Sequence, residues 1–130
     1  MKTLLPPGWP RPKGYSNGVS ARGRTIFTAG VVGWTAEQRF EVADLPGQFR
    51  HVLTNILAIL AEDGAGPEHV VRMTCYVTSR DAYVAALPEI GAAWRETMGR
   101  HYPAMAVVEV SALVEPEALV EIEATAMVPD

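Results

Sequence analysis

The feature that most constrains the fold is a strict two-residue alternation near the end of the chain. Over residues 120–128, every second side chain is apolar: Val120, Ile122, Ala124, Ala126 and Val128. The side chains between them are mostly polar: Glu121, Glu123, Thr125 and Met127. A period of two is that of a β-strand, so this segment predicts a strand with two chemically different faces. Its apolar face needs a covering layer, and its other face carries two carboxylates that must be solvated, paired or part of a site.

Two further segments, Val70–Thr78 and Pro103–Val110, alternate in the same way and predict two more strands of the sheet. We expect one face of this sheet to be mixed rather than fully polar. The side chains predicted on it are Arg72, Thr74, Tyr76, Glu121, Glu123 and Thr125, beside Met105 and Val107. A face of this composition is too apolar to be left in water, so we predict that it contacts another subunit.

Apolar residues at three- and four-residue intervals predict two amphipathic helices between the strands. The first stripe comprises Phe49, Val52, Leu53, Ile56, Leu57 and Leu60. The second comprises Tyr83, Leu87, Ile90, Trp94 and Met98. Pro88 interrupts the second stripe, and we expect it to open the main helical segment at its first turn.

The sequence of the N-terminal part predicts an arm followed by two strands. Residues 1–14 hold four of the ten prolines and predict an irregular arm. Tyr15–Ala21 and Thr25–Gly30 predict two strands joined by a turn at residues 22–24. The order β-β-α-β-α-β-β predicts one α+β domain over residues 1–130, with the helices on one side of the sheet.

Composition excludes several functional classes. A net charge of −4 argues against nucleic-acid binding, which needs a concentrated basic patch. We predict no membrane span, no signal peptide and, with Cys75 alone, no internal disulfide, so we expect a cytoplasmic protein. His51, His69 and His101 lack metal-ligand spacing, and no phosphate-binding glycine loop occurs, so we predict neither metal nor cofactor.

Several short motifs occur in the order and spacing typical of one family. They are Gly14-Tyr15-Ser16, Ile26–Gly30, Gln48 with Asn55, Val70–Thr74, Pro103-Ala104 and Glu121–Ala124. Each motif is weak alone, but the ordered set, from Gly14 to Val128, resembles the RidA family, also called YjgF or endoribonuclease L-PSP. The resemblance implies a chorismate-mutase-like α+β fold with a mixed sheet backed by two helices. It also implies a homotrimer with small-molecule clefts between subunits, and cofactor-independent hydrolysis of reactive imines and enamines to keto acids and ammonia.

The resemblance also assigns site residues. Glu121 matches the glutamate that positions the attacking water, Tyr15 matches a tyrosine of the cleft, and Gly30 matches the glycine that ends the second strand. Met105 stands where the best-known deaminases have an arginine that binds the substrate carboxylate. This departure matters because arginine offers a permanently charged, bidentate fork and methionine only a weakly accepting sulfur.

Three further positions support a more apolar cleft. Val107 stands where the deaminases often have cysteine, and Leu87 lies near where some have asparagine. Trp34, with Leu87 and Met105, would supply a larger apolar wall. His101 is a candidate for the missing cation.

Three functions follow from these observations. The first is a hydrolytic deaminase with altered substrate preference, acting on a 2-imino acid or an aminomuconate-type enamine. The second is a non-catalytic trimer that binds a small metabolite, which the loss of the arginine favours. The third is the ribonuclease or translation-inhibitor activity in the family's older names, against which the negative net charge argues.

Overall fold

The computed structural model describes all residues 1–130 and confirms the predicted α+β class. It contains seven β-strands and three α-helices. The strands are β1 (Lys2–Leu4), β2 (Gly18–Ser20), β3 (Arg24–Phe27), β4 (Val31–Val32), β5 (Val70–Val77), β6 (Ala104–Glu109) and β7 (Val120–Val128). The helices are α1 (Leu45–Ala61), α2 (Arg80–Ala85) and α3 (Leu87–Met98), and a single 3-10 turn (Pro67–His69) precedes β5.

The main sheet is mixed, with the order β3-β7-β5-β6, and β4 also pairs with β7. Only β5 and β6 run parallel, and the other pairs are antiparallel. The central strand β7 buries its alternate apolar side chains as the sequence predicts: Val120, Ile122, Ala124 and Ala126. This burial fixes the register of the strand, because a shift by one residue would turn the glutamates inward.

Helices α1 and α3 pack on one side of the sheet, which we call the helix face, and leave the other side as the open face. The apolar stripe of α1 is buried against the sheet, and Ile90, Trp94 and Met98 of α3 join the same core. Asp44 caps the start of α1 by accepting a hydrogen bond from the Gly47 amide at 3.2 Å. None of the helices has the length and apolar content needed to cross a bilayer.

Pro88 acts as the sequence predicts. The second helical region is divided into α2 and α3, and Pro88 lies in the first turn of α3, where its missing amide proton breaks no helical hydrogen bond. The Ser79 hydroxyl caps α2 by accepting from the Ala82 amide at 3.1 Å.

The predicted irregular arm is wrong at its beginning. Lys2–Leu4 forms β1 and pairs with β2 in an antiparallel ribbon, with Lys2 opposite Ser20 and Leu4 opposite Gly18. The two strands predicted at Tyr15–Ala21 and Thr25–Gly30 correspond to β2 and β3, but they do not pair with each other. β2 pairs with β1, and β3 pairs with β7. Three residues are too few to show a period, and the prolines that follow prevent the strand from continuing.

The predicted placement of Met105 and Val107 on the open face is also wrong. In the parallel register, Met105 lies beside Met73 and Val107 lies beside Cys75. Neighbours in register share a face, and Met73 and Cys75 are buried on the helix face. Met105 and Val107 therefore project toward the helices at the edge of the sheet.

Candidate functional site

A groove of about 540 Å³ lies on the helix face, between β6, the helices α2 and α3, and residues 13–15. We call it the apolar groove. Nine of its thirteen lining residues are hydrophobic, and none is acidic. Four of the residues predicted for the site line this groove: Tyr15, Leu87, Met105 and Val107. The structure thus brings together the larger part of the predicted binding set.

Tyr15 is held beside β6 by contacts of its neighbour Ser16. The Ser16 amide donates to the Pro103 carbonyl at 2.9 Å, and the Ser16 hydroxyl donates to the Tyr102 carbonyl. These bonds extend the sheet by one parallel bridge between Ser16 and Ala104. Since Met105 follows directly, the tyrosine and the methionine meet in the same groove.

Trp94 and Tyr102 form a stacked aromatic wall, with ring centroids 5.9 Å apart. The Trp94 indole donates to the His101 carbonyl at 3.1 Å, which fixes the turn that leads into β6. The His101 ring lies 2.6 Å from the Val70 carbonyl and does not line the apolar groove. It borders a neighbouring groove, so the structure does not bring the candidate cation His101 next to Met105.

The neighbouring groove, of about 820 Å³, joins the apolar groove along five shared residues: Lys13, Gly14, Tyr15, Arg95 and Tyr102. We call it the cationic groove. Its side chains include Arg11, Lys13, Arg95 and Arg100, and no carboxylate lines it. The sequence analysis missed this cluster. Two of the cations come from the arm, one from α3 and one from the turn after it, so no local sequence motif indicates the cluster.

Glu121 lies apart from both grooves, on the open face of β7. It is opposite Val32 of β4, and its half-buried side chain lies against Gly30. A methyl group on Gly30 would be 2.5 Å from Glu121 Oε2, so only glycine leaves the carboxylate its present place. The predicted residues Glu121 and Gly30 are therefore in direct contact.

Asn55 of α1 positions the segment that contains Gly30 and Trp34. Its amide donates to the Val32 carbonyl at 3.1 Å and to the Trp34 carbonyl at 2.9 Å. Trp34 packs on Phe40 with ring centroids 5.7 Å apart. Trp34 and Gly30 line a shallow groove of about 360 Å³, separate from the one that holds Met105.

The second carboxylate of the strand, Glu123, is already paired. It accepts a hydrogen bond from the Tyr76 hydroxyl at 2.7 Å, and this bond is the main reason why the pKa of Tyr76 is raised. The charge of Glu121 adds to the same effect. Glu121 is thus the carboxylate of β7 that remains for chemistry.

The predicted base Glu121 and the predicted residues of the apolar groove lie on opposite faces of the sheet. Glu121 is in register with Tyr76, which is in register with Val108 on the open face. Val107, the residue before Val108, points to the helix face with Met105. One chain therefore does not bring Glu121 to a ligand in its own apolar groove.

No cluster of three or more His, Cys, Asp or Glu side chains is placed to hold a metal ion. Cys75 is buried beneath the helices, and desolvation raises the pKa of its thiol to about 12. The thiolate, which is the reactive form, is therefore absent near neutral pH.

Comparison with known proteins identifies the family. The family model for endoribonuclease L-PSP matches residues 10–128, nearly the whole chain. The chain belongs to the RidA/YjgF family. A RutC family protein of Pyrococcus abyssi is 36% identical over 106 residues, which cover 80% of each chain.

Solved structures of the RidA/YjgF family have the same fold. A Rid family protein of unknown function from Yersinia pestis, YyfB, is 35% identical, with a TM-score of 0.82 and 98% of each chain covered. TdcF of E. coli, solved with bound serine, is 26% identical, with a TM-score of 0.70 and 98% of each chain covered.

Proposed function

We propose that this RidA-family chain is a cofactor-independent hydrolytic deaminase that converts a reactive imine or enamine into a carbonyl compound and ammonia. It would act in the cytoplasm as a homotrimer, and each active site would be a cleft between two subunits. One subunit supplies the apolar groove, and Glu121 of the partner subunit supplies the base.

The observation that carries this proposal is the division of the family's site residues between two faces. Tyr15, Met105 and Val107 share one groove, while Glu121 rests against Gly30 on the other face. Such half-sites can act together only when a second copy is docked against the first. Assembly through the open face would also cover Phe27, which is 74% exposed.

The groove suits a small organic ligand. Its volume of about 540 Å³ and its mostly apolar lining are those of a small-molecule site. TdcF, which shares the fold, was solved with bound serine, and this supports a ligand of amino-acid size in this family.

Hydrolysis of a protonated imine requires only one proton-transfer group from the protein. Glu121 takes a proton from a water molecule, and the hydroxide adds to the carbon of the protonated C=N bond. The resulting carbinolamine then receives a proton on nitrogen from the Glu121 carboxyl. The C–N bond breaks, and the C=O bond forms as the departing ammonia takes the hydroxyl proton and leaves as ammonium. An enamine first takes a proton on carbon to give the same imine. One positioned carboxylate can perform both proton transfers.

Met105 determines which substrates suit the cleft. It cannot bind a carboxylate, but it extends the apolar wall formed with Leu87 and Val107. We therefore expect a substrate with a larger apolar body than 2-iminopropionate.

The test is ammonia release from freshly generated imines and enamines, with 2-iminopropionate, the imine of phenylpyruvate and 2-aminomuconate as the panel. We expect turnover of the two larger compounds and little of the smallest. The substitution Met105→Arg should raise turnover of 2-iminopropionate about tenfold, because a charge-assisted hydrogen bond is worth about 1.5–3 kcal/mol. Absence of turnover on every compound, with the trimer intact, would overturn the proposal.

A second candidate is a non-catalytic trimer that binds a small metabolite in the same cleft. The observation that favours it is the apolar Met105 at the position of the carboxylate-binding arginine. It predicts saturable binding without ammonia release, so the same panel, combined with calorimetry, separates the two functions.

A further inference from the structure

We propose that the ligand of this cleft is an organic acid with an apolar body, whose carboxylate is bound by Lys13 and Arg95 at the rim of the apolar groove. This inference deepens the proposed function and rests on it for the location of the cleft. It assigns a role to a group of cations outside the family's known site residues.

The cations of the cationic groove are not neutralised by the chain. Arg24, Arg50 and Arg80 each form a salt bridge with a carboxylate. Arg11, Lys13, Arg95 and Arg100 form none, although the protein has more acidic than basic residues. Four of the eleven lysine and arginine side chains therefore surround one groove with no carboxylate, which makes that groove attractive to anions.

Lys13 and Arg95 occupy the boundary between the two grooves. Both line the apolar groove and the cationic groove, whereas Arg11 and Arg100 line only the cationic one. A ligand whose apolar part lies against Met105 and Val107 would therefore reach Lys13 and Arg95 with its polar end.

Gly91 allows Arg95 to take this place. It lies one helical turn before Arg95, on the wall of the apolar groove. A methyl group on Gly91 would be 3.2 Å from Arg95 Nη1, so the guanidinium lies folded back over the glycine toward the groove. A methyl group at this position would require the guanidinium to move from its present place by a few tenths of an ångström.

The arm places Lys13 at the same rim. The ribbon of β1 and β2 fixes the beginning of the arm, and the bonds of Ser16 to Tyr102 and Pro103 fix its end. Lys13 lies just before this second anchor and next to Tyr15. The exposed tyrosine hydroxyl is thus available as a further donor to the bound acid.

The arrangement also explains how the cleft can hold an acid without an arginine at position 105. The charge is provided where the apolar groove meets the cationic groove, so the acid binds with its apolar body against Met105 and its carboxylate toward Lys13 and Arg95. Arg11 and Arg100, further into the cationic groove, would accommodate a second negative charge.

The test is isothermal titration calorimetry on the intact protein with three stable probes. Phenylpyruvate carries both the acid and the apolar body, pyruvate carries only the acid with a methyl group, and phenylacetone is an uncharged analogue. We expect phenylpyruvate to bind about tenfold more tightly than either of the others, and its affinity to fall with added salt.

The variants Lys13→Met and Arg95→Met remove the charge and keep the bulk of the side chain. Each should weaken phenylpyruvate binding about three- to tenfold, as expected for partly solvated cations, and leave phenylacetone binding unchanged. Arg39→Met removes the same charge from an exposed loop outside both grooves and should change neither. Gly91→Ala should weaken phenylpyruvate binding without lowering the melting temperature.

The outcomes separate this inference from the proposed function. Equal affinity of the wild-type protein for phenylpyruvate and phenylacetone, or unchanged binding in both the Lys13 and Arg95 variants, would overturn the acid site. Binding that depends on Lys13 and Arg95, without ammonia release from any imine, would keep the acid site and overturn the hydrolase. Equal affinity for phenylpyruvate and pyruvate would show that the apolar groove contributes nothing and would also overturn the inference.

Discussion

The two faces of the main sheet carry opposite chemistry. On the helix face, the apolar groove and the cationic groove contain hydrophobic, aromatic and cationic side chains and no carboxylate. On the open face, β5 and β7 carry Glu121, Glu123 and Tyr76, within a mixed polar surface. The two grooves thus hold groups suited to binding an organic acid, and the carboxylates of β7 lie on the opposite face of the sheet.

In the proposed hydrolase, this difference would leave a single folded chain with an incomplete active site. A carboxylate in the cationic groove would be neutralised by its neighbours, and a cation beside Glu121 would lower its basicity. In the proposed trimer, the cations and the base would thus stay on separate surfaces of each subunit and would meet only across the interface. Substitutions on the helix face should therefore change affinity and substrate choice, and those on the open face should change the rate of the chemical step.

The largest effect should come from Glu121→Ala. Loss of the proton-transfer group should lower kcat for imine hydrolysis about 100- to 10,000-fold and leave the affinity for phenylpyruvate nearly unchanged. Ammonia release and calorimetry measure the two quantities separately.

The matched control is Glu123→Ala, which removes the neighbouring carboxylate of the same strand face. Because Glu123 is paired with Tyr76, its loss should change kcat by less than about threefold, well below a proton-transfer effect. Equal losses in the two variants, or a large loss of affinity in Glu121→Ala, would contradict the division of roles between the faces.

A smaller effect is expected from Gly30→Ala. The added methyl group would displace the end of the Glu121 side chain, which is flexible, so the fold should tolerate it while kcat falls about tenfold. Thermal melting followed by far-ultraviolet circular dichroism measures the stability of the fold, and ammonia release measures kcat.

Gly33→Ala should have the opposite result, because it should destabilise the fold. There the methyl group would meet the backbone of Gln48 in α1, with the carbonyl oxygen at 2.7 Å, and backbone cannot move aside cheaply. We expect a loss of about 1–3 kcal/mol in the free energy of unfolding. A stable Gly33→Ala variant, or an unfolded Gly30→Ala variant, would reverse the assignment of these two glycines.

The smallest effect concerns the tyrosines on the two faces. Glu123 raises the pKa of Tyr76 on the open face, whereas burial against the helices raises the pKa of Tyr83 to about 12. The substitution Glu123→Gln should lower the pKa of Tyr76 toward its usual value of 10.0 and leave that of Tyr83 in place. Nuclear magnetic resonance of 13C-labelled tyrosine, assigned with Tyr76→Phe and Tyr83→Phe, follows both groups.

The direction of the two pKa shifts determines how the free energy of unfolding depends on pH. Both phenols have a folded-state pKa above the unfolded value, so the neutral forms stabilise the fold fully below about pH 10. The free energy of unfolding should then fall as the pH rises toward 12. A Tyr76 pKa that does not respond to Glu123→Gln would contradict the hydrogen bond as its cause.

The sequence predicts the central elements well, because their periodicity is dictated by burial on one side. Strands β5 and β7 and the stripe of α1 each place residues at the spacing of their own geometry, and the structure buries those residues. Pro88 could be interpreted because its missing amide proton allows few positions in a helix. The family motifs assign both Glu121 and Gly30 to the site although the two lie far apart in the chain, and their contact is seen in the structure.

Two parts of the site could not be predicted for physical reasons. The alternation in the edge strand β6 is mainly one of side-chain size, because both of its faces are apolar up to Val108. It therefore does not say whether Met105 or Ala104 faces the helices, and only the register with β5 decides it. The cationic groove joins the arm to the end of α3, and no period or motif links Lys13 to Arg95 before the chain is folded. When the role of a residue depends on its neighbours in space, that role can be assigned only from the structure.

The placement of Lys13 on the arm has a consequence for the history of such proteins. The arm lies outside the hydrophobic core, and its side chains at the rim contribute little to the stability of the domain. With Lys13 in the proposed role, mutations at the rim would change the ligand preference of this chain while the fold and the buried residues stay intact. The preference would then be able to change through a few surface substitutions on an unchanged scaffold.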